Sequence, residues 1–160
     1  MQPSADPPLP EPADDVERRI AADVREHGWH AVLVRAGDHP APVTGLPLAY
    51  TAGLWLTMNH PELVLVGDFA HAHAILAGTV DVVRRGGRLL PGAEVEGVIE
   101  GAPLRTVAVD ARHRDGLLEY ARWTHKGRGF QAVQLLVPDG AGRWPGDDGY
   151  AGVPQPSLVR

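Results

Sequence analysis

The sequence predicts an α+β fold: a largely antiparallel, mixed sheet of about six strands with two to three packed helices, in the order αβββαββαβ. Three observations carry this. Short apolar runs follow one another through brief connections and are only punctuated by helices, whereas strict βα alternation would give a parallel sheet. One amphipathic helical pattern opens the chain ahead of three strands. Glycine (19) and proline (15) make up about a fifth of the 160 residues and gather between the patterns. That share stays below the roughly 25–30% typical of low-complexity disorder. A chain of this length supports one core. It is expected over residues 14–150, between a disordered proline-rich tail (1–13) and a flexible C-terminal tail (151–160).

The elements follow in order. Asp14 and Glu17 have the spacing of a capping box, in which each side chain accepts a free backbone donor. Val16, Ile20, Val24 and His27 then recur at three- and four-residue spacing, and Gly28 suits the left-handed residue that stops a helix, so 15–27 reads as an amphipathic helix. His30–Arg35 is a short buried strand, and 37–47 a Gly/Pro-rich loop. Ala49–Leu56 reads as a second strand with Tyr50, Ala52, Leu54 and Leu56 on one face and Thr51, Gly53 and Trp55 on the other. Asn59-His60-Pro61 is a turn, and Glu62–Gly67 the third strand.

Asp68 is placed to cap a helix whose face is Phe69, His73, Leu76, Val80 and Val83, ended by Gly86-Gly87. Glu96–Glu100 and Leu104–Val109 form a hairpin around Gly101-Ala102-Pro103. Asp110 caps a last helix through Leu117, Leu118 and Ala121 to the region of Gly127, and Phe130–Val137 is the final strand.

Composition excludes several chemistries. Without cysteine there is no disulfide, thiolate metal site or cysteine nucleophile. The only serines, Ser4 and Ser157, lie in the tails, so no G-x-S-x-G elbow exists, nor is there a Walker A or G-x-G-x-x-G cradle. A net charge of −5 argues against nucleic acid as a partner. No apolar run reaches the ~18–20 residues that span a bilayer, and the N-terminus lacks the basic and apolar regions of a signal peptide. No membrane partner and a cytoplasmic location are therefore expected. Among the 15 basic residues only Lys126 is a lysine, and Asn59 is the only asparagine. This bias fits a GC-rich bacterial genome and weakens any argument from arginine abundance.

Histidine, carboxylate and tyrosine remain as chemical actors. His71 and His73 share a face only on a strand; on a helix their spacing separates them, so no metal site is assigned there. His60-Pro61-Glu62 places a histidine in a turn and a carboxylate at the head of an apolar strand. Glu62 could act there as general base or orienter. Alternatively His60 binds a backbone carbonyl and Glu62 takes a neighbouring arginine or tyrosine. Trp29-His30 and Tyr50-Thr51 form a second cluster at strand mouths, suited to a pocket wall or to a satisfied core network.

Five motifs occur in fixed order: Gly28-Trp29-His30, Ala49-Tyr50-Thr51-Ala52-Gly53-Leu54, His60-Pro61-Glu62-Leu63, Gln134-Leu135-Leu136-Val137-Pro138-Asp139 and Gly142-Arg143-Trp144-Pro145-Gly146-Asp147. Over roughly residues 26–150 the chain resembles a bacterial family known as a domain of unknown function, number four-two-six-two. The resemblance implies no reaction or cofactor. It singles out His30, Tyr50, Thr51, His60, Glu62, Gln134, Asp139 and Trp144 as motif positions, and Val137 departs from the aromatic residue the family often carries there.

With Trp55 added, these are the candidate binding residues. The expected function is a binding module for a small molecule or a protein partner, with no cofactor identified. The alternative is a small enzyme using His30 or His60 with Glu62 as an acid–base set, with or without an O/N-ligated zinc, iron or manganese ion.

Overall fold

A computed structural model describes residues 7–37 and 45–159. The first six residues of the expected tail, most of the 37–47 loop and Arg160 lie outside the described residues. The chain runs α1 (Asp15–His27), β1 (His30–Val34), β2 (Leu48–Ala52), α2 (Leu54–Met58), β3 (Glu62–Val66), α3 (Ala72–Arg84), β4 (Glu94–Ile99), β5 (Ala102–Ala108), α4 (Ala111–Leu117), α5 (Glu119–Thr124) and β6 (Ala132–Leu136). The six strands form one sheet in the order β1-β2-β3-β6-β5-β4. All neighbours are antiparallel except β3 and β6, whose parallel register pairs Glu62 with Ala132 and Val64 with Gln134. The fold is the mixed α+β sheet that the strand runs predict.

Alternation along the central strands builds two cores. Tyr50, Ala52, Val64 and Val66 pack with Ile20 and Val24 of α1 and with Leu117, Leu118 and Ala121 of α4 and α5. Ala49, Leu63, Leu65, Val133 and Leu135 pack with Leu76 and Val80 of α3. Because helices cover both faces, β2 and β3 are buried at every position, as a doubly covered sheet requires.

Helix α1 has the predicted bounds. Asp14 accepts from the Glu17 N–H at 2.8 Å, and Glu17 accepts from the Ala13 N–H at 2.9 Å. Gly28 stops it at φ 87°. The stripe buries Ile20 and Val24, while Val16 stays half exposed.

Four local expectations change. The second strand ends at Ala52, and Leu54–Met58 turns into α2. The turn is made by Gly53 at φ 112°, where a Cβ would lie 2.9 Å from Val24 Cγ2 and 3.1 Å from the Gly28 carbonyl. The third helix begins at Ala72, not after Asp68. Gly67 (φ 131°) passes beneath the C-terminal segment, where an added Cβ would lie 2.8 Å from the Pro154 carbonyl oxygen. The last helix breaks at Leu118 into α4 and α5, and the Tyr50 hydroxyl accepts the Tyr120 N–H at 3.0 Å across the break.

The fourth concerns the end of the chain. Residues 151–159, expected as a flexible tail, pack against the sheet. Leu158 is fully buried and donates its N–H to Gln134 Oε1 at 2.9 Å. Gln134 Nε2 donates to the Pro156 carbonyl at 2.8 Å, and Asp110 N–H to the Leu158 carbonyl at 2.7 Å.

Candidate functional site

Parallel pairing of β3 with β6 puts Glu62, the first residue of β3, in the interior, where its side chain is fully buried. A carboxylate there is costly unless its lone pairs are filled, and here they are. Oε1 accepts from Thr51 Oγ1 at 2.8 Å and from the Leu54 N–H at 3.0 Å. Oε2 accepts from the Gly53 N–H at 3.0 Å, the Trp55 N–H at 3.3 Å and His125 Nε2 at 2.8 Å. Three of these donors are backbone groups at the start of α2, which would otherwise lack partners. Glu62 thus explains why the chain turns helical at Leu54.

His125 follows α5 directly. Its side chain is 3% exposed and its ring packs on Phe130 with centroids 4.8 Å apart. Glu62 receives only donors, so the shared hydrogen sits on His125 Nε2. In the neutral ring Nδ1 is then the acceptor nitrogen, and among the described residues nothing hydrogen-bonds to it. His125 lines a recess of about 210 Å³ together with Pro8, Trp55, Leu56, Lys126 and Arg128. A larger hollow of about 800 Å³ runs between the ends of α1, α2 and α3, but its titratable residues, Arg25, Glu26, His27 and Arg84, are all exposed. The recess beside His125, unlike that hollow, meets a buried ionisable pair.

His60 is also buried, yet both its nitrogens are taken. Nδ1 donates to the Pro61 carbonyl at 2.8 Å, and Nε2 accepts the Leu89 N–H at 2.9 Å. Burial, followed by the positive charge of Arg88, lowers its pKa from the ordinary 6.5. His60 therefore ties the β3 turn to Leu89 as a neutral ring. Glu62's imidazole partner is His125, 63 residues away in sequence.

The other candidates divide plainly. Thr51, Trp55 and Glu62 meet in one network, in which Thr51 Oγ1 also accepts the Leu63 N–H at 2.9 Å. Tyr50 is a core residue whose hydroxyl caps α5; burial raises its pKa well above the usual tyrosine value. His30 pairs with Asp23 through Nδ1 at 2.7 Å. Gln134 fastens the C-terminal segment. Asp139 accepts from the Ala151, Arg143 and Ala141 N–H groups and from Arg143 Nε, at 2.8–3.0 Å. Led by the Ala151 bond, these partners hold its carboxyl at about 2. The Arg105 guanidinium lies 4.2 Å over the Trp144 ring.

No group of three or more His, Asp or Glu placed to hold a metal occurs among the described residues. No helix among them is long and apolar enough to cross a membrane. The residue that sequence reasoning missed is His125. Its signal was available: it continues the apolar stripe from Leu118 and Ala121 at i+7 and i+4, which places an imidazole on the buried side of a helix.

Chemically, a carboxylate that fixes one imidazole nitrogen leaves the other oriented as an acceptor. The comparison with curated proteins finds no match, and neither does that with solved structures. The family model described as a domain of unknown function (DUF4262) matches residues 23–151, which include β1, Glu62 and His125. That span is most of the chain, so the protein belongs to the DUF4262 family.

Proposed function

We propose that this domain is a small-molecule-binding module of the bacterial cytoplasm, and that its ligand sits in the recess beside His125. One observation carries the reading: a buried imidazole, oriented by Glu62, keeps an acceptor nitrogen without a partner beside a recess. Buried polar groups are otherwise paired in native proteins, and the fully buried histidine among the candidates, His60, is paired at both nitrogens. The volume, about 210 Å³, lies under the ~300–1,000 Å³ of drug-sized sites and suits a ligand of few heavy atoms. The bacterial source is supported by the arginine-dominated alphabet alone.

Gly129 supplies the test. It lines the recess, its φ lies outside the left-handed range, and a Cβ added there meets nothing within 4 Å. Gly129→Phe therefore places an aromatic side chain at the lining of the recess without a clash at the backbone. Fragments screened by ligand-observed NMR should include binders that shift the His125 ring nitrogens and lose at least tenfold in affinity against Gly129→Phe. Binders that ignore the substitution, or no binders at all, contradict the proposal.

The same pair supports a second reading as an acid–base catalyst. Glu62 would orient His125, and Nδ1 would accept the proton. The pair in this reading is Glu62–His125, in place of one built on His30 or His60. Turnover of any identified ligand that survives His125→Gln excludes it.

A further inference from the structure

The recess differs in charge from the rest of the molecule. The chain carries a net charge of −5, yet no carboxylate lines this recess, while Lys126, Arg128 and His125 do. Neither the Lys126 nor the Arg128 side chain has an ion-pair or hydrogen-bond partner among the described residues. The backbone sets them side by side. Lys126 adopts a left-handed conformation at φ 56°, Gly127 follows at φ 72°, and Arg128 N–H then bonds back to the His125 carbonyl at 3.0 Å. A left-handed lysine is strained relative to glycine, so this turn is held by its surroundings, and it brings both cations to the lining of one recess.

Resting on the reading that this recess is the ligand site, we propose that its ligand is a small oxyanion that also carries an O–H group. The anionic oxygens pair with Lys126 and Arg128. The O–H donates to Nδ1 of His125, which the Glu62 bond leaves as an acceptor. A hydrogen phosphate group and a short hydroxycarboxylate share this chemistry. Sulfate and acetate offer the charge without the donor. A site built to receive a hydroxyl rejects the analogue that lacks it more strongly than charge alone would, because its buried acceptor is then left unpaired.

The test uses the full-length chain, labelled with nitrogen-15, at constant ionic strength near pH 7. Two matched pairs are titrated: inorganic phosphate against sulfate, and glycolate against acetate. The hydroxyl-bearing member of at least one pair should bind saturably, shift His125 Nδ1 and bind at least tenfold tighter than its partner. Which pair responds identifies phosphate or hydroxycarboxylate as the source of the group. The double variant Lys126→Ala/Arg128→Ala should weaken that binding at least tenfold with an unchanged melting temperature, since both side chains are exposed. Equal binding within both pairs, or no saturable binding in either, overturns the proposal. If neutral fragments still bind in the manner that Gly129→Phe abolishes, the oxyanion assignment alone falls. If they do not, the ligand site falls with it.

Discussion

Two buried histidines flank the same strand and are finished differently. His60 gives Nδ1 to the Pro61 carbonyl and receives the Leu89 N–H at Nε2. His125 gives Nε2 to Glu62, and its Nδ1 meets nothing among the described residues. The first ring is a structural bridge between a turn and the segment before β4. The second is oriented by Glu62 and keeps one nitrogen without a hydrogen-bond partner among the described residues. The contrast teaches that burial alone does not separate a functional histidine from a structural one. The accounting of both nitrogens does.

The same accounting applies to the carboxylates. Asp139 and Glu62 are each surrounded by donors, but those of Asp139 all come from its own loop and Ala151. Those of Glu62 come from β2, α2 and the end of α5. Asp139 closes a local loop, whereas Glu62 joins three elements and leaves a neighbouring imidazole poised.

The largest effect should therefore come from Glu62. Glu62→Ala strands three backbone donors, the Thr51 hydroxyl and the His125 N–H in the interior. Loss of one member of a buried polar network of this kind costs about 3–5 kcal/mol. Urea unfolding should show that loss, and a cost under about 1 kcal/mol would mean that Glu62 does not organise α2.

His60→Gln should cost less, about 1–3 kcal/mol, for one backbone donor and one backbone acceptor left imperfectly paired. It should also change the pH profile. Because burial lowers the His60 pKa from 6.5, the unfolded chain takes up a proton there before the native one does. Stability from this group is full above about pH 6.5 and falls as the pH drops below it. Unfolding measured between pH 7.5 and 5.5 should show this slope in the parent and a shallower one in His60→Gln.

Asp139→Asn should have the smallest effect near neutrality that is still diagnostic, confined to the 138–151 loop. Its carboxyl sits at about 2 in the folded chain against an ordinary 3.8. Its contribution is therefore present above about pH 4 and lost as the pH falls toward 2. Hydrogen exchange at the Ala141, Arg143 and Ala151 amides should quicken in the variant while the Glu62 network is unchanged. Protection lost at Gly53 and Leu54 as well would contradict the separation of the two regions.

Much of the fold was legible because it is periodic. The α1 stripe, the cap at Asp14 and the apolar runs of β1, β3 and β6 depend on neighbours in sequence. What escaped depends on distant partners. Leu54–Leu56 reads as strand by its alternation, and it becomes helix because Gly53 turns the chain and Glu62, eight residues from Leu54, accepts its first amides. The C-terminal segment reads as a tail because its fastening lies in Gln134, 24 residues from Leu158. Within the site, Glu62 was legible as a polar residue heading an apolar strand. The stripe from Leu118 and Ala121 marks the burial of His125, but its pairing with Glu62 was not legible, because no local pattern announces a partner 63 residues away. The turn containing His60 drew attention by proximity to Glu62, and proximity in sequence was the wrong measure of pairing.

The most direct test is a long-range nitrogen–proton NMR spectrum of the histidine rings at pH 8, above the ordinary histidine range near 6.5. The account predicts opposite tautomers in one molecule. His125 should carry its hydrogen on Nε2 with an unprotonated Nδ1, and His60 should carry its hydrogen on Nδ1. A spectrum in which His125 holds its hydrogen on Nδ1 would contradict the claim that Glu62 orients this ring with its acceptor nitrogen open.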